Sequence, residues 1–285
     1  MELTHRAISA GRLSDILKRE MRVSSGLINR LKWDEGILVN GVPQRTNYQV
    51  CPGDELTLRL DDPEPEYPGE DLPLEILFED EHLLAVDKPA GMLIPPSRNR
   101  DSGTLANAVV GYYQRTGQKS AFHPITRLDR DTFGVVLLAK DSHTHALMQR
   151  QGLQKTYHAM VYGVPPSDAG VIDAPIARRE LPSLLRYVSP EGKPSRTEYR
   201  VLGRWEETSL LELKPITGRT HQLRVHCAYM GCPILGDPQY GSAESRAESA
   251  RLGLEYQRLC AKKVEFAHPL TGEPLEIESR QQAEF

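Results

Sequence analysis

HPITRLDRDTFGVVLLAK, residues 123–140, sets a doubly charged loop directly against an apolar run. Val135 to Lys140 reads as a buried strand, and its apolar run, Val135 to Ala139, is far short of the ~20 residues a membrane helix needs. The RLDRD loop ahead of it places Asp129 between Arg127 and Arg130, with Asp131 close behind. Groups held at the end of a rigid core strand are where functional residues tend to lie. A turn or capping carboxylate among surface arginines is the plainer reading. On these residues alone both stay open.

Outward toward the C-terminus, Ser142 to Gln151 has helical spacing, with Ser142 or Asp141 as its cap. KTYHAMVYG, residues 155–163, alternates as a strand and carries Tyr157, a sheet-face aromatic on its plain reading. Arg196 to Leu202 and Ser209 to Leu213 alternate in the same way. LKPITGRTHQLRVHCAYMGCPILGDPQYG, residues 213–241, then holds a helix over Thr220 to Met230. Thr220 is its candidate cap, and Gly231 stands just past its end. Arg219, His221, Arg224 and His226 crowd its start, with residues 221 and 224 on one face. Such a start suits an anionic ligand, because backbone N–H groups also point there; a capped surface helix is the alternative.

Toward the N-terminus, Leu74 to Phe78 and Leu83 to Val86 form a strand pair, and Leu105 to Tyr113 reads as a helix. Strands with helices inserted irregularly predict an α+β fold on a mixed, largely antiparallel sheet with flanking helices. Regular βαβ alternation and GxGxxG are both missing, which speaks against a nucleotide-cofactor fold. DDPEPEYPGEDLP, residues 61–73, has four prolines and six acids and reads as a solvated linker. It divides the chain into a small module, residues 1–60, and a large one, residues 74–285. In the small module, a helix over Arg12 to Met21 and a second from Ser24 or Ser25 precede a strand at Ile37 to Val39. An Asn40-Gly41 turn, a Pro52-Gly53-Asp54 turn and the alternating Leu56, Leu58 and Leu60 follow. Arg12, Arg22, Arg30 and Lys32 project from the helical part; singly, each reads as a solvated side chain.

At 285 residues the chain has room for about two domains and a sizeable core. Its formal net charge of -4 looks wrong for a nucleic-acid protein. The distribution changes that view. Residues 61–81 hold 10 acids and no Lys or Arg, and the flanking regions are both mildly basic. Cys51, Cys227, Cys232 and Cys260 form no CxxC pair, so free thiols in a reducing cytosol are expected. His221, His226, Cys227 and Cys232 fit no usual zinc spacing, and no metal is expected. The N-terminus has no apolar segment of a secretory signal. A soluble, cytoplasmic protein is expected.

Taken together and in this order, the motifs resemble the RluA-type pseudouridine synthase family over roughly residues 74–280. RLDRDTFG corresponds to the family's RLDxxTSG motif, KTYHAMVYG to KxYxAxVxG, and TGRTHQLRVH with GCPILGDPQYG to a third motif. LAVDKPAGMLIPP matches the strand and DKPxG turn ahead of the site. Phe133 stands where the family usually has serine, and Thr126 where many members have histidine. Residues 10–60 resemble the alpha-L RNA-binding module of the ribosomal S-four type, through the LVNG and PGDEL turns.

The resemblance implies isomerisation of uridine in RNA, with Asp129 as essential carboxylate, Tyr157 against the uracil and Arg224 as basic partner. Arg219 is the second candidate for that partnership. Arg127, Arg219, His221, Arg12, Arg22, Arg30 and Lys32 are expected to bind RNA. No cofactor is implied, because the reaction has no net redox change and transfers no group. Ribosomal RNA of the large subunit is the expected partner, bound by a monomer, and no membrane is involved. A tRNA synthase and an assembly factor with secondary catalysis are the alternatives. A hydrolase using Asp129 or Asp131 with His221 is a third reading, but no GxSxG elbow accompanies them.

Overall fold

Residues 2–60, 67–97, 101–180, 183 and 185–284 are described by the computed structural model of the chain. The first of these segments starts with a strand, β1 (Glu2–Arg6), and then a short β2 (Gly11–Arg12). Helices α1 (Leu13–Arg19) and α2 (Ser25–Leu31) follow, and then β3 (Ile37–Val39), β4 (Val42–Pro43), β5 (Gln49–Val50) and β6 (Glu55–Arg59). Sequence spacing anticipated the helices and the β3–β6 region, with α1 shorter than expected. It missed β1, which pairs antiparallel along the whole of β6. This small sheet therefore has the order β1-β6-β3-β4 and does not simply follow the helices. Leu3 and Ala7 join Leu13, Ile16, Leu17, Ile28, Leu56 and Leu58 in one apolar cluster. Ser24 caps α2, accepting from the Leu27 N–H at 3.1 Å.

The larger part opens with β7 (Ile76–Glu79), β8 (Leu83–Lys88), α3 (Leu105–Arg115), β9 (His123–Pro124), β10 (Phe133–Ala139) and α4 (Ser142–Gln151). It continues with β11 (Gln154–Tyr162), β12 (Ala169–Asp173), β13 (Ile176–Arg178), β14 (Arg186–Val188), β15 (Arg196–Arg204) and β16 (Thr208–Pro215). Helices α5 (Gln222–Tyr229) and α6 (Ala243–Arg251) and strands β17 (Leu259–Ala267) and β18 (Pro274–Glu278) complete it. One sheet runs β12-β15-β16-β11-β17-β10-β8-β7, with β18 on β17 and β9 on β10. Its pairings are antiparallel except β10 with β17. The fold is thus α+β on a mixed, largely antiparallel sheet, as the irregular alternation of strands and helices predicted.

Both faces of the central strands are buried, which explains the unbroken apolar run of β10. Val136 and Leu138 face Leu84, Val86 and the α3 residues Leu105, Val109 and Tyr113. Val135 and Leu137 face the opposite way, against Leu83, Met148 of α4 and Val264. Each such buried side chain stabilises by roughly 1.5–3 kcal/mol, so the strand ends are firm anchors. Asp141 caps α4, accepting from the Thr144 N–H at 2.8 Å.

The acidic segment divides in two. Residues 61–66 lie outside the described residues. The remainder does not hang in solvent: it docks on α3. Tyr67 stacks edge-on with Phe122 at 6.3 Å, and Asn107 Nδ2 donates to Pro68 O at 2.9 Å. The Glu70 carboxylate accepts from the Gly103 N–H at 3.1 Å. Asn107 serves that strap and the α3 capping box at once, a tertiary use that composition does not reveal. Among the described residues, no helix is long and apolar enough to cross a membrane.

Candidate active site

Three chain segments meet at one end of the central sheet. The RLDRD loop enters β10, where Phe133 and Gly134 pair in parallel with Cys260 and Ala261 of β17. On the other side of β17, Tyr157 of β11 pairs with Ala261. A two-strand separation is about 10 Å, so Asp129 and Tyr157 come to face one space. The third segment is the β16–α5 loop, held above by Leu223 and Cys227, which pack against Leu211 and Leu213. Together these line a cleft of about 560 Å³ that contains Arg127, Asp129, Lys155, Tyr157, Arg219, His221 and Arg224.

The loop carrying Asp129 is tethered on several sides. Thr132 N donates to Asp129 O at 3.2 Å, closing a turn. Gln257 Nε2 donates to Thr132 Oγ1 at 2.5 Å. The Lys88 ammonium, fully buried, donates to Pro89 O, Met92 O and Arg130 O at 2.8–2.9 Å. Burial pushes Lys88 down to about 7 while Asp131 and Asp129 pull it back up. Three carbonyls accept all three of its protons and tie the loop to the DKPAG turn. Arg130 pairs with Asp131 at 2.7 Å and not with Asp129.

Arg224 reaches Asp129: its Nη1 donates to Asp129 Oδ2 at 3.1 Å. The rest of the guanidinium is fully engaged. Nε donates to Asp237 Oδ2 at 2.7 Å, and Nη2 donates to Asp237 Oδ1 at 2.9 Å and to Gln239 Oε1 at 2.8 Å. The Asp237 carboxylate is completely buried and also accepts from the Gln239 and Tyr240 N–H groups. It therefore fixes the fork of Arg224 so that the free edge points at Asp129. Burial pushes the Arg224 pKa down, but Asp237 and Asp129 outweigh it and raise it, so this charge persists through neutral pH. The Tyr240 ring lies 4.9 Å beneath the guanidinium carbon.

His221 is the residue preceding α5, not Thr220 as expected, and it has left-handed backbone geometry, φ 58°. No side chain caps this helix start. His221 therefore does not share a helical face with Arg224. Its Nδ1 lies 2.8 Å from Tyr240 Oη, and its Nε2 lies 3.8 Å from Asp129 Oδ2. Burial lowers its pKa, with Asp129 opposing and Arg224 reinforcing, so it is neutral at neutral pH. Gln222 organises the loop before it, accepting from Arg219 N at 3.1 Å and from Thr217 Oγ1 at 2.7 Å. Arg219 turns outward, where its Nε donates to Pro194 O at 3.2 Å.

Tyr157 is half-buried in the cleft wall. Burial, with Asp129 adding to it, raises its phenol far above the ordinary range, so it stays protonated at neutral pH. Phe133 is buried against Met160 and Leu235, with the Arg258 guanidinium 5.7 Å over its ring. Thr126 Oγ1 accepts from Leu137 N at 2.9 Å, and is spent on that strand.

Of the residues singled out from sequence, Asp129, Tyr157, Arg224, Arg127, Arg219 and His221 share the cleft. Arg12, Arg22, Arg30 and Lys32 do not; they are exposed on the small N-terminal unit. His226 leaves the group altogether: it is buried, with Nδ1 2.9 Å from Thr197 Oγ1 and Nε2 3.0 Å from Ala174 O. Among the described residues, no cluster of three or more His, Cys, Asp or Glu is arranged to hold a metal ion. Asp237, Gln222 and Lys88 were not singled out. The GDPQYG turn and the DKPAG turn contain two of them, and an acid or lysine inside a Gly/Pro turn was the available signal.

A carboxylate held by a fixed guanidinium thus faces a protonated tyrosine across one cleft. Residues 82–229 match the RNA pseudouridylate synthase family. The chain is 37% identical over 263 residues to an uncharacterised RNA pseudouridine synthase, YjbO, of Bacillus subtilis, covering 89% of this chain and 90% of that one. It is 33% identical to ribosomal large subunit pseudouridine synthase C of Vibrio cholerae, covering 93% and 88%. Human RNA Pseudouridylate Synthase Domain Containing 1 superposes with a TM-score of 0.60 at 25% identity, covering 75% of this chain and 86% of that one. The chain belongs to the RNA pseudouridylate synthase family: it is an RNA-modifying isomerase.

Proposed function

We propose that this enzyme isomerises uridine in large-subunit ribosomal RNA, with Asp129 as its catalytic carboxylate, Arg224 as its partner and Tyr157 as the surface on which the uracil stacks. The Asp129–Arg224 contact of 3.1 Å, inside a cleft that also holds Tyr157, carries this reading. The ribosomal target is supported by relatives named as large-subunit synthases, among them that of Vibrio cholerae.

The reaction breaks the bond from uracil N1 to ribose C1′ and forms one from C5 to C1′. The C5 proton leaves and N1 gains one, so the product is an isomer. Addition to the anomeric carbon, addition to the ring and proton abstraction from the sugar all begin with an ionised carboxylate. Arg224, donating to Asp129 at 3.1 Å, holds that carboxylate in place in the cleft. A phenol with a raised pKa is a poor base, so stacking is the main work of Tyr157. Extruding the uridine costs a few kcal/mol, which contacts to flanking RNA must offset.

Arg127, Arg219 and His221 at the cleft, and Arg12, Arg22, Arg30 and Lys32 on residues 1–60, are the RNA-binding groups in this reading. Residues 1–60 act as an RNA-binding unit and residues 74–285 as the catalytic one. The enzyme works as a cytoplasmic monomer. Unmodified large-subunit ribosomal RNA and bulk tRNA, each transcribed with tritium at uracil C5, test the target. Release of tritium from the ribosomal RNA is expected; release from tRNA alone would reassign the substrate.

A further inference from the structure

Lys155 precedes Tyr157 by two residues on β11, and both side chains line the cleft around Asp129. Residues at i and i+2 of a strand share a face. The Lys155 side chain is half-buried, and among the described residues its ammonium has no hydrogen bond and no ion pair. Burial lowers its pKa. The other cations of the wall are differently placed. Arg224 is neutralised by Asp237 and Asp129, Arg219 rests on a carbonyl, and Arg127 is solvent-exposed. Among the described residues, Asp129 is the one acid lining the cleft, against Arg127, Lys155, Arg219 and Arg224.

A half-desolvated charge without a counterion is costly to the folded protein. It is retained where a ligand supplies the missing charge. RNA carries its formal negative charge on its phosphodiesters. Two strand residues span about 7 Å, the scale that separates a nucleobase from its own backbone phosphate. We propose that Lys155 is a substrate-binding residue whose ammonium takes the phosphodiester of the nucleotide stacked on Tyr157. The assignment rests on the cleft being the uridine site.

Lys155→Met and Lys155→Arg, assayed by tritium release from C5-labelled ribosomal RNA at several salt concentrations, test it. Lys155→Met keeps the apolar stem and is expected to raise KM on the order of tenfold, as for a lost charged hydrogen bond. Its kcat should stay within about twofold, because the contact is equal in ground and transition states. The slope of log KM against log salt should become shallower by roughly 0.7–0.9, one phosphate contact. Lys155→Arg should restore both. Thermal unfolding of Lys155→Met should be unchanged or raised, since a desolvated charge is removed; if it unfolds, Lys155→Gln takes its place. An unchanged KM and salt slope overturns the proposal, and so does a fall in kcat alone. Failure of the wild type to release tritium from any RNA would instead sink the reading of the cleft.

Discussion

Asp237, completely buried, holds the Arg224 guanidinium by two hydrogen bonds. Asp237→Asn keeps the shape but removes the charge opposite Arg224 and puts an N–H where an acceptor stood. Losing one partner of a buried pair costs about 3–5 kcal/mol, so thermal or urea unfolding should register a clear loss. Activity should fall by roughly 10–100-fold, as for other residues that orient a functional group, with RNA affinity little changed. Parity with wild type in turnover would show that Arg224 needs no clamp. Asp129, Tyr157 and Arg224 were legible as residues because their motifs stand in order. Asp237 was not: in sequence it reads as a turn former, and only the tertiary fold brings it to the Nε edge of the guanidinium. Glu20 is similar on the small unit. Burial pushes its carboxyl up, but hydrogen bonds from Ile8 N–H, Ser9 and His5 outweigh this and settle it at about 2. Above about 4.5 both folded and unfolded forms are ionised and the stabilisation is complete. Between 4.5 and 2 the unfolded chain takes up the proton first, and the stabilisation drains away. Unfolding curves of Glu20→Gln should therefore show a weaker acid dependence between those pH values than wild type.

At the scale of elements, the junction of β10 and β17 sets the reach from Asp129 to Tyr157. Gly134 has φ +106°, and a Cβ there would sit 2.4 Å from Ala261 O. Gly134→Ala should force the two backbones apart, costing at least ~2 kcal/mol and lowering activity with it. A variant as stable and active as wild type would mean the junction is slack. Strands and helices with strong periodicity were readable: the expected spans of β10 and β11 fall within two residues of those observed, and that of α4 coincides. β1 was not, since ELTHR has one buried residue in its five and its partner β6 lies some 50 residues away. The start of α5 was misread by one residue because a left-handed His221 is a tertiary outcome. Its ring is held by Tyr240 and its loop by Gln222, contacts that no local pattern encodes.

At the scale of the whole molecule, the negative total hides where the positive charge works. The acids concentrate in residues 61–81, while cations gather at the cleft and on residues 1–60. A combined Arg12→Ala, Arg22→Ala, Arg30→Ala and Lys32→Ala variant should raise KM and flatten its salt dependence by as much as about 3, at 0.7–0.9 per phosphate contact. Turnover at saturating RNA should be unaltered. An identical salt slope would remove these residues from the RNA path. Fold class was legible from the irregular alternation of strands and helices, and reaction class from three motifs in order. The docking of residues 67–72 on α3 was not, because proline and acid content alone reads as a free linker.

The most direct test of the account is single-turnover tritium release from C5-labelled large-subunit ribosomal RNA by wild type and Asp129→Asn, with binding of the same RNA measured alongside. The variant keeps the size of Asp129 and removes its charge. The variant should lose at least about a thousandfold of release with RNA affinity within a few-fold of wild type. Release within tenfold of wild type would contradict it, because the carboxylate would then be dispensable to the chemistry.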